Sequence, residues 1–598
     1  MTSPERVSEV FVSEMGFLPE ARRKLAYVLP APPPGSRFSV VAVGNVYISG
    51  GSAAAKKVSP LPTVLEGQVA SADGPFGTVG VADLSELRQP GLYQVVTGAA
   101  QSLPFWIRRD LYVRHAYETF YFSHIQRCGC EVPGWHAACH LDDARRRDTG
   151  RHVDTVGGWH DAGDLRKWMI ATLWQAVGMI WVKRRWNPTW NQYADDDILD
   201  ELRWGNLYFH KMLDPATGLV WNDVGGGVDG DNSDNHWTDN VVGTCDDRYL
   251  NVGVSPAVQY EFVWVQAMAA QVFSKYADDP AYGQHCLNLA RRAWAAGTAK
   301  WPLHQVDTTS LGYAALAACE LFRHTHVPAD ADVASSALAV LLARQETSFV
   351  ARQSQYRGFF YDGPDRAEIF KQVWQSGVLP LALLTADEVL GGDIGRQAAD
   401  AFCRYADEFL LPLSRLSAFA VLPYGVFLRP QTHDVYRPLA GALTYRFFLP
   451  CRTSLEQPDA EAPWWLGPTS HVLGHAAALL WAARRFARPE FRDLALRQME
   501  WLSGANPIGA NGISGRGLGR VWPHSRYVGI IPGAVMNAVS GTRDDQPVFG
   551  PEHLHWQTTE YWSPHQATYL MCLAELHDRY DLGTDIGVAI KAAPHIAL

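Results

Sequence analysis

The first hundred residues alternate short apolar runs with turn-forming residues. Val10 to Val12, Lys24 to Leu29, Phe38 to Val43, Tyr47 to Ser49, Thr63 to Val69 and Gly91 to Thr97 are rich in β-branched and aromatic side chains. Proline- and glycine-rich breaks such as Ala31-Pro32-Pro33-Pro34-Gly35 separate them, as turns separate antiparallel strands. Phe105 to Ile107 ends the series, and the close strand spacing predicts a small β-sandwich over residues 1–107. From Arg108 on, apolar positions recur at helical spacing. Helices are predicted over Leu111 to Gln126, Leu165 to Met179, Thr309 to Arg323, Asp332 to Arg344, Ala367 to Val389, Gly395 to Leu411 and Ser470 to Phe486. Phe491, Leu494, Met499 and Leu502 mark one more, stopped by Gly504. Residues 108–598 read as one all-helical domain of antiparallel pairs, a closed toroid or a solenoid. Two tracts interrupt it: Asn222 to Tyr249, dense in Gly, Asp and Asn, and Gly504 to Pro551, dense in Gly and Pro. Loops this long inside a compact domain are usually functional or disordered.

The net charge of −10 argues against nucleic acid as the main partner, because phosphate binding calls for a basic footprint. No apolar run is long enough to span a membrane, and no basic stretch followed by an apolar run opens the chain. The nine cysteines are odd in number and scattered, as reduced thiols are, so a cytoplasmic setting is expected. No protein partner is implied. The 22 Trp and 23 Tyr mostly serve a core, yet flat rings with a polar edge also stack on sugar faces.

The densest chemistry lies in Gly157-Gly158-Trp159-His160-Asp161-Ala162-Gly163-Asp164. Two carboxylates three residues apart at the start of a predicted helix would share a face, and the helix N-terminus would favour their ionised forms. Such a pair can hold and deprotonate a water molecule. A capping Asp with a first-turn Asp would look the same, but the flanking glycines imply a tight turn and close backbone approach beyond what capping needs.

This octapeptide resembles the Asp-Ala-Gly-Asp signature of glycoside hydrolase family 9. Three more stretches match in family order: Val10 to Pro19 resembles the opening strand of an immunoglobulin-like module, Ser514 to Arg526 the late His-x-Arg motif, and Phe549 to Ala567 the segment carrying the catalytic acid. The resemblance implies an (α/α)6 barrel catalytic domain preceded by an immunoglobulin-like β-sandwich. It implies inverting hydrolysis of β-1,4-glucosidic bonds in cello-oligosaccharides or soluble β-glucan. Asp164 would be the general base, Asp161 its helper in positioning water, Glu560 the general acid, and His524 and Arg526 sugar-binding residues. Departures fall near the acid: Pro551 and Glu552 where an Asp is usual, Trp562 where a small residue is preferred, and Gln566 in place of Asn. They keep open an exo-β-D-glucosaminidase acting on chitosan oligosaccharides, and a non-catalytic carbohydrate-binding protein on the same fold.

Cys128, Cys130, Cys139, His136, His140 and His160 could furnish two thiolates and two imidazoles, the ligand set of a closed tetrahedral zinc site. By resemblance the ligands of a structural Zn²⁺ are Cys128, Cys139, His140 and His160, with Cys130 an alternative to Cys128. Buried free thiols and satisfied core histidines would give the same residues. The Asp229–Asp239 loop clusters oxygen ligands of the kind that suit Ca²⁺, which members of the family often carry, although its spacing is not that of an EF-hand. A solvated acidic loop, or attraction of a cationic sugar, fits that loop as well.

Overall fold

The computed structural model describes residues 8–43, 62–186, 191–225, 236–348, 356–430, 434–449, 467–515, 521, 523–527, 530–550 and 556–577. Two antiparallel sheets form the N-terminal sandwich. In one, Glu9–Phe11, Leu25–Leu29, Gly77–Asp83 and Ala70–Gly74 lie side by side in that order. In the other, Thr63–Gln68, Arg37–Ala42, Gly91–Thr97 and Ala100–Gln101 follow one another, with Phe105–Ile107 also paired to Gly91–Thr97. Alternate residues point inward, so Tyr93 and Val95 join Val28, Phe38, Val40 and Ile107 in the sandwich core. The hairpin Ala70–Gly74/Gly77–Asp83 carries no strong strand signal, being rich in Gly, Ala and Asp; pairing to Leu25–Leu29 makes it a strand pair. The predicted strand Tyr47 to Ser49 lies outside the described residues.

That hairpin reaches the helical domain. At its tip Phe76 meets Phe447 at 5.0 Å, Phe448 at 5.8 Å and Trp501 at 6.1 Å between ring centroids, and Tyr27 meets Phe419 at 4.2 Å. The Glu14 N–H donates to the Ser503 carbonyl at 2.7 Å, so backbone pairing and aromatic packing together fix sandwich to helices.

Helices follow in pairs, one inside and one outside. Met169–Trp186, Pro256–Tyr276, Thr308–Thr325, Val378–Leu390, Thr469–Arg485 and Ser563–Leu576 form a closed inner ring, the last packing against the first. Asn191–Lys211, Pro280–Lys300, Pro328–Leu342, Gly392–Tyr405, Pro489–Leu502 and Val113–Ile125 back them from outside. This is the (α/α)6 toroid. Burial follows from position: every residue of Ser563–Leu576 is buried, whereas Pro280–Lys300 buries one stripe, Gly283, Cys286, Leu287, Ala290, Ala293 and Gly297. Side-chain caps start several helices: Ser255 accepts from the Val258 N–H, Asp279 from Tyr282 and Asp307 from Ser310.

Two helix predictions shift in ways that matter. The run predicted from Leu165 does not become helical until Met169; Leu165 sits at φ 68° and Lys167–Trp168 is a short strand paired to Asp223–Gly225. The run predicted from Ala367 begins its helix at Val378, leaving Trp374 in the loop above the ring. In both places irregular backbone precedes the helix and brings Trp168 and Trp374 into one apolar cluster.

Candidate active site

Three indoles gather at the N-terminal ends of inner helices. Trp168 precedes Met169–Trp186, Trp374 precedes Val378–Leu390, and Trp562 precedes Ser563–Leu576. Trp374 and Trp562 pack edge to face with centroids 5.1 Å apart at 83°, and Trp168 is tilted against Trp374 at 5.9 Å. Ala162, Tyr424, Phe427 and Tyr436 complete this apolar cluster.

Asp161 and Asp164 stand at its edge on a tight turn. The Asp161 N–H donates to the Arg166 carbonyl at 2.7 Å and closes the turn. Their proximity therefore comes from a loop, and the helical i, i+3 geometry expected from the sequence does not apply. Asp161 is buried, with each oxygen held: Oδ1 accepts from the Trp168 N–H at 3.0 Å and Oδ2 from the Trp562 indole N–H at 2.9 Å. Asp164 is half-buried and accepts from the Arg166 N–H at 3.3 Å. The Arg166 guanidinium bonds to Asp223 at 3.0 Å and lies over the Trp168 ring. Burial is the largest influence on both aspartates and raises both above the usual carboxylate range. The expected helix-dipole stabilisation of their anions is replaced by weaker local help: the Trp168 and Trp562 donors for Asp161, and the Arg166 N–H and charge with His524 for Asp164.

Three chain segments converge here. The Gly163 carbonyl accepts from the Arg526 N–H at 2.9 Å, and a short parallel bridge joins His524 to Glu560. Ala162 pairs with Trp562 across an antiparallel bridge. Gly163 permits this, since a Cβ there would lie 2.3 Å from the His524 carbonyl oxygen. The Glu560 carbonyl accepts from the Asn537 N–H at 2.8 Å, fixing the acidic residue from behind. Glu560 is half-buried; burial first, then the charges of Asp164 and Asp161, push its carboxyl well above its ordinary value, opposed only by the Gly163 N–H. His524 is half-buried near the Trp556 ring, and the Arg526 side chain is exposed. Asp161, Asp164, Glu560, His524 and Arg526 thus meet, though nearly 400 residues of chain separate the first from the last motif.

Sequence reasoning missed Arg166, Trp168, Asp223 and Trp374, whose roles depend on where the loops fold. Gln566, flagged as a departure near the acid, is buried and bonds to Thr119, Gly533 and Val535, tying the last inner helix to its neighbours. Pro551 and Glu552 lie outside the described residues.

Beside the turn, Cys128, Cys139, His140 and His160 are all buried, with one ligand atom from each lying within 4.8 Å of the others, a group that could hold a metal ion. His160 Nε2 is 3.3 Å from His140 Nδ1, Cys128 Sγ 3.5 Å from His140 Nδ1, and Cys139 Sγ 3.9 Å from His160 Nε2. Each imidazole's other nitrogen has a partner: His160 Nδ1 the Tyr527 hydroxyl at 2.6 Å, His140 Nε2 the His236 carbonyl at 3.2 Å. Burial lowers His160 to about 3, keeping it a neutral ligand. Burial opposes ionisation of Cys128, but the Cys139 thiol, Lys167 and His160 outweigh it and hold the thiol well below its ordinary value. Cys130 stands outside the group, its thiol pushed up to about 11 by burial. Of the acidic tract proposed for calcium, residues 229–235 lie outside the described residues; Asp142, Asp246 and Asp247 form a separate described acidic group.

Three carboxyls therefore gather beside a cluster of indoles at one end of the inner ring. A family model described as Glycosyl hydrolase family 9 matches residues 112–528, and the chain belongs to that family. Endoglucanase D of Acetivibrio thermocellus is 29% identical over 248 residues, 36% of this chain and 36% of that protein. A cellodextrinase of Butyrivibrio fibrisolvens is 31% identical over 239 residues, 36% of this chain and 40% of that protein. The alignments thus span little more than a third of these curated relatives. Among solved structures, a metagenome-derived family 9 endoglucanase superposes with a TM-score of 0.68 at 20% identity, covering 95% of this chain and 99% of that one. A zinc-binding triple mutant of the family 9 endoglucanase J30 gives 0.67 at 21% identity, covering 94% and 100%. At such identities the structural likeness speaks for the fold.

Proposed function

We propose that the protein hydrolyses β-1,4-glucosidic bonds in cello-oligosaccharides or soluble β-glucan with inversion at the anomeric carbon. The observation that carries this reading is the convergence of Asp161, Asp164 and Glu560, whose charges act on one another, beside one cluster of indoles. Glu560, the carboxyl with least help for its anion, retains a proton and delivers it to the leaving oxygen. Asp164 takes a proton from water on the opposite face of the sugar, and Asp161, fixed at both oxygens, helps orient that water. His524 and Arg526 bind the sugar at the cleavage point. Because the three carboxyls interact, activity should follow a bell whose limbs belong to the cluster as a whole.

The thiolate–imidazole group suits zinc. Ideal tetrahedral bonds of ~2.0–2.1 Å to nitrogen and ~2.3 Å to sulfur imply N–N and N–S edges of roughly 3.4 and 3.6 Å, close to the observed 3.3, 3.5 and 3.9 Å. Zinc there would be structural, since four protein ligands leave no open position for substrate.

The test is a timed product profile on cellopentaose and on the glucosamine pentamer, with Asp164→Asn and Glu560→Gln as controls. Anomer-resolved NMR of the first product is recorded in parallel. Cellopentaose cleavage that yields the inverted anomer and disappears in both variants is expected. Retained configuration, or turnover surviving in Asp164→Asn, would reject the assignment. Monomer release from the glucosamine substrate alone would replace the substrate class.

A further inference from the structure

Arg248, Lys167 and Asp143 form a wholly buried charge group between the thiolate–imidazole site and the catalytic turn. Arg248 grips Asp143 with both ends of its fork, Nε to Oδ1 at 2.9 Å and Nη2 to Oδ2 at 2.6 Å. Lys167 Nζ sits 2.6 Å from the same Oδ2 and donates to the carbonyls of Thr155 at 2.8 Å and Gly157 at 3.0 Å. Arg248 Nη2 also lies 3.8 Å from the sulfur of Cys128. The remaining arm, Nη1, donates at 2.5 Å to the carbonyl of Leu165, the residue after Asp164.

Leu165 needs that hold. It stands at φ 68°, a left-handed conformation unfavourable for any residue with a Cβ, and it persists where surroundings over-determine it. His140, one of the metal-site imidazoles, is likewise at φ 53°. One planar guanidinium, immobilised by a bidentate carboxylate, therefore touches a thiol of the metal site and the strained peptide beside Asp164.

We propose that Arg248, clamped by Asp143, is a positioning residue that couples occupancy of the Cys128–Cys139–His140–His160 site to the conformation of the Asp161–Asp164 turn. With a metal ion holding Cys128 in place, the guanidinium has a fixed anchor on that side and locks Leu165. Without the ion, the sulfur is free to shift, Arg248 follows it, and the turn loosens. The catalytic consequence rests on the reading of Asp164 as base; the conformational one does not.

The experiment is hydrogen–deuterium exchange on peptides covering residues 161–168, in zinc-loaded protein, chelator-stripped protein and stripped protein with zinc restored. Stripping is expected to speed exchange there at least tenfold and zinc to reverse it, while the sandwich strand Gly91–Thr97 stays unchanged. Unchanged exchange over 161–168 on stripping overturns the proposal. Arg248→Lys keeps the charge but cannot span carboxylate, sulfur and carbonyl together. Folded and zinc-loaded, it should exchange the turn as fast as stripped wild type and lose kcat at least tenfold with KM held. Wild-type protection in that variant also overturns the proposal. Should the variant fail to fold, the stripping series decides alone. Absence of glycosidase activity would leave the exchange result intact, so the two readings fail separately.

Discussion

Replacing Trp562 by Phe isolates one hydrogen bond at the heart of the site. The wild-type indole N–H donates to Asp161 Oδ2 at 2.9 Å, while the ring packs on Trp374 and Trp168. Phenylalanine keeps most of the ring and deletes the donor. A hydrogen bond to a charged group is worth about 1.5–3 kcal/mol. Loss of that amount corresponds to a rise of about 1–2 pKa units in the aspartate, at 1.36 kcal/mol per unit. The acid limb of the kcat profile, which belongs to the three interacting carboxyls together, moves to higher pH by up to that amount. At the original midpoint of that limb, kcat should fall by roughly five- to fiftyfold, and it should recover at pH values well above the new midpoint. KM should change little, since the indole is buried. The assay is a pH series of kcat and KM on cellopentaose, with thermal melts to confirm the fold. A Trp562→Phe enzyme with wild-type kcat and an unmoved acid limb would refute the role given to Asp161, because its second oxygen would then need no fixed donor.

Other consequences are equally direct. Glu560→Gln should abolish turnover yet raise the melting temperature increasingly as pH rises. The folded-state pKa of Glu560 is raised, so its stabilising protonated form is lost as pH climbs through that value, whereas glutamine carries no such penalty. A melting difference that is flat or reversed between pH 4 and 8 would contradict the buried-acid account. Gly163→Ala places a methyl 2.3 Å from the His524 carbonyl oxygen and 2.9 Å from the Ser525 Cα, so the two segments must part; at least a hundredfold loss of kcat/KM is expected, and a kinetically normal variant would show that their contact is not needed. Phe76→Ala removes the ring that meets Phe447, Phe448 and Trp501. It should cost about 2–4 kcal/mol in urea unfolding, and a change within 0.5 kcal/mol would mean that the hairpin merely rests on the helical domain.

The sequence by itself determined a good deal. Period-two runs marked most sandwich strands, helical periodicity marked many of the toroid's helices, and Gly-Gly-Trp-His-Asp-Ala-Gly-Asp pointed to the family. Local patterns are legible because strand and helix burial repeat along the chain. Four helices, Asn191–Lys211, Pro256–Tyr276, Pro280–Lys300 and Ser563–Leu576, carry no helix prediction. Pro256–Tyr276 is buried nearly all round within the ring, so it shows no contrast of faces to read.

Tertiary structure decided what the motifs do. No spacing could reveal that Asp161 is gripped by Trp168 and Trp562, from segments some 400 residues apart. Nor could it choose Cys128 over Cys130, which differ by two positions in the chain and by membership of a buried four-residue group in space. The paired aspartates were expected to owe their ionisation to a helix N-terminus. Instead the chain turns through a strained Leu165 before the helix begins, and burial raises both carboxyls. Residue types and order are written locally, but desolvation and charge pairing depend on which distant segments close over a site, and only the folded chain specifies those.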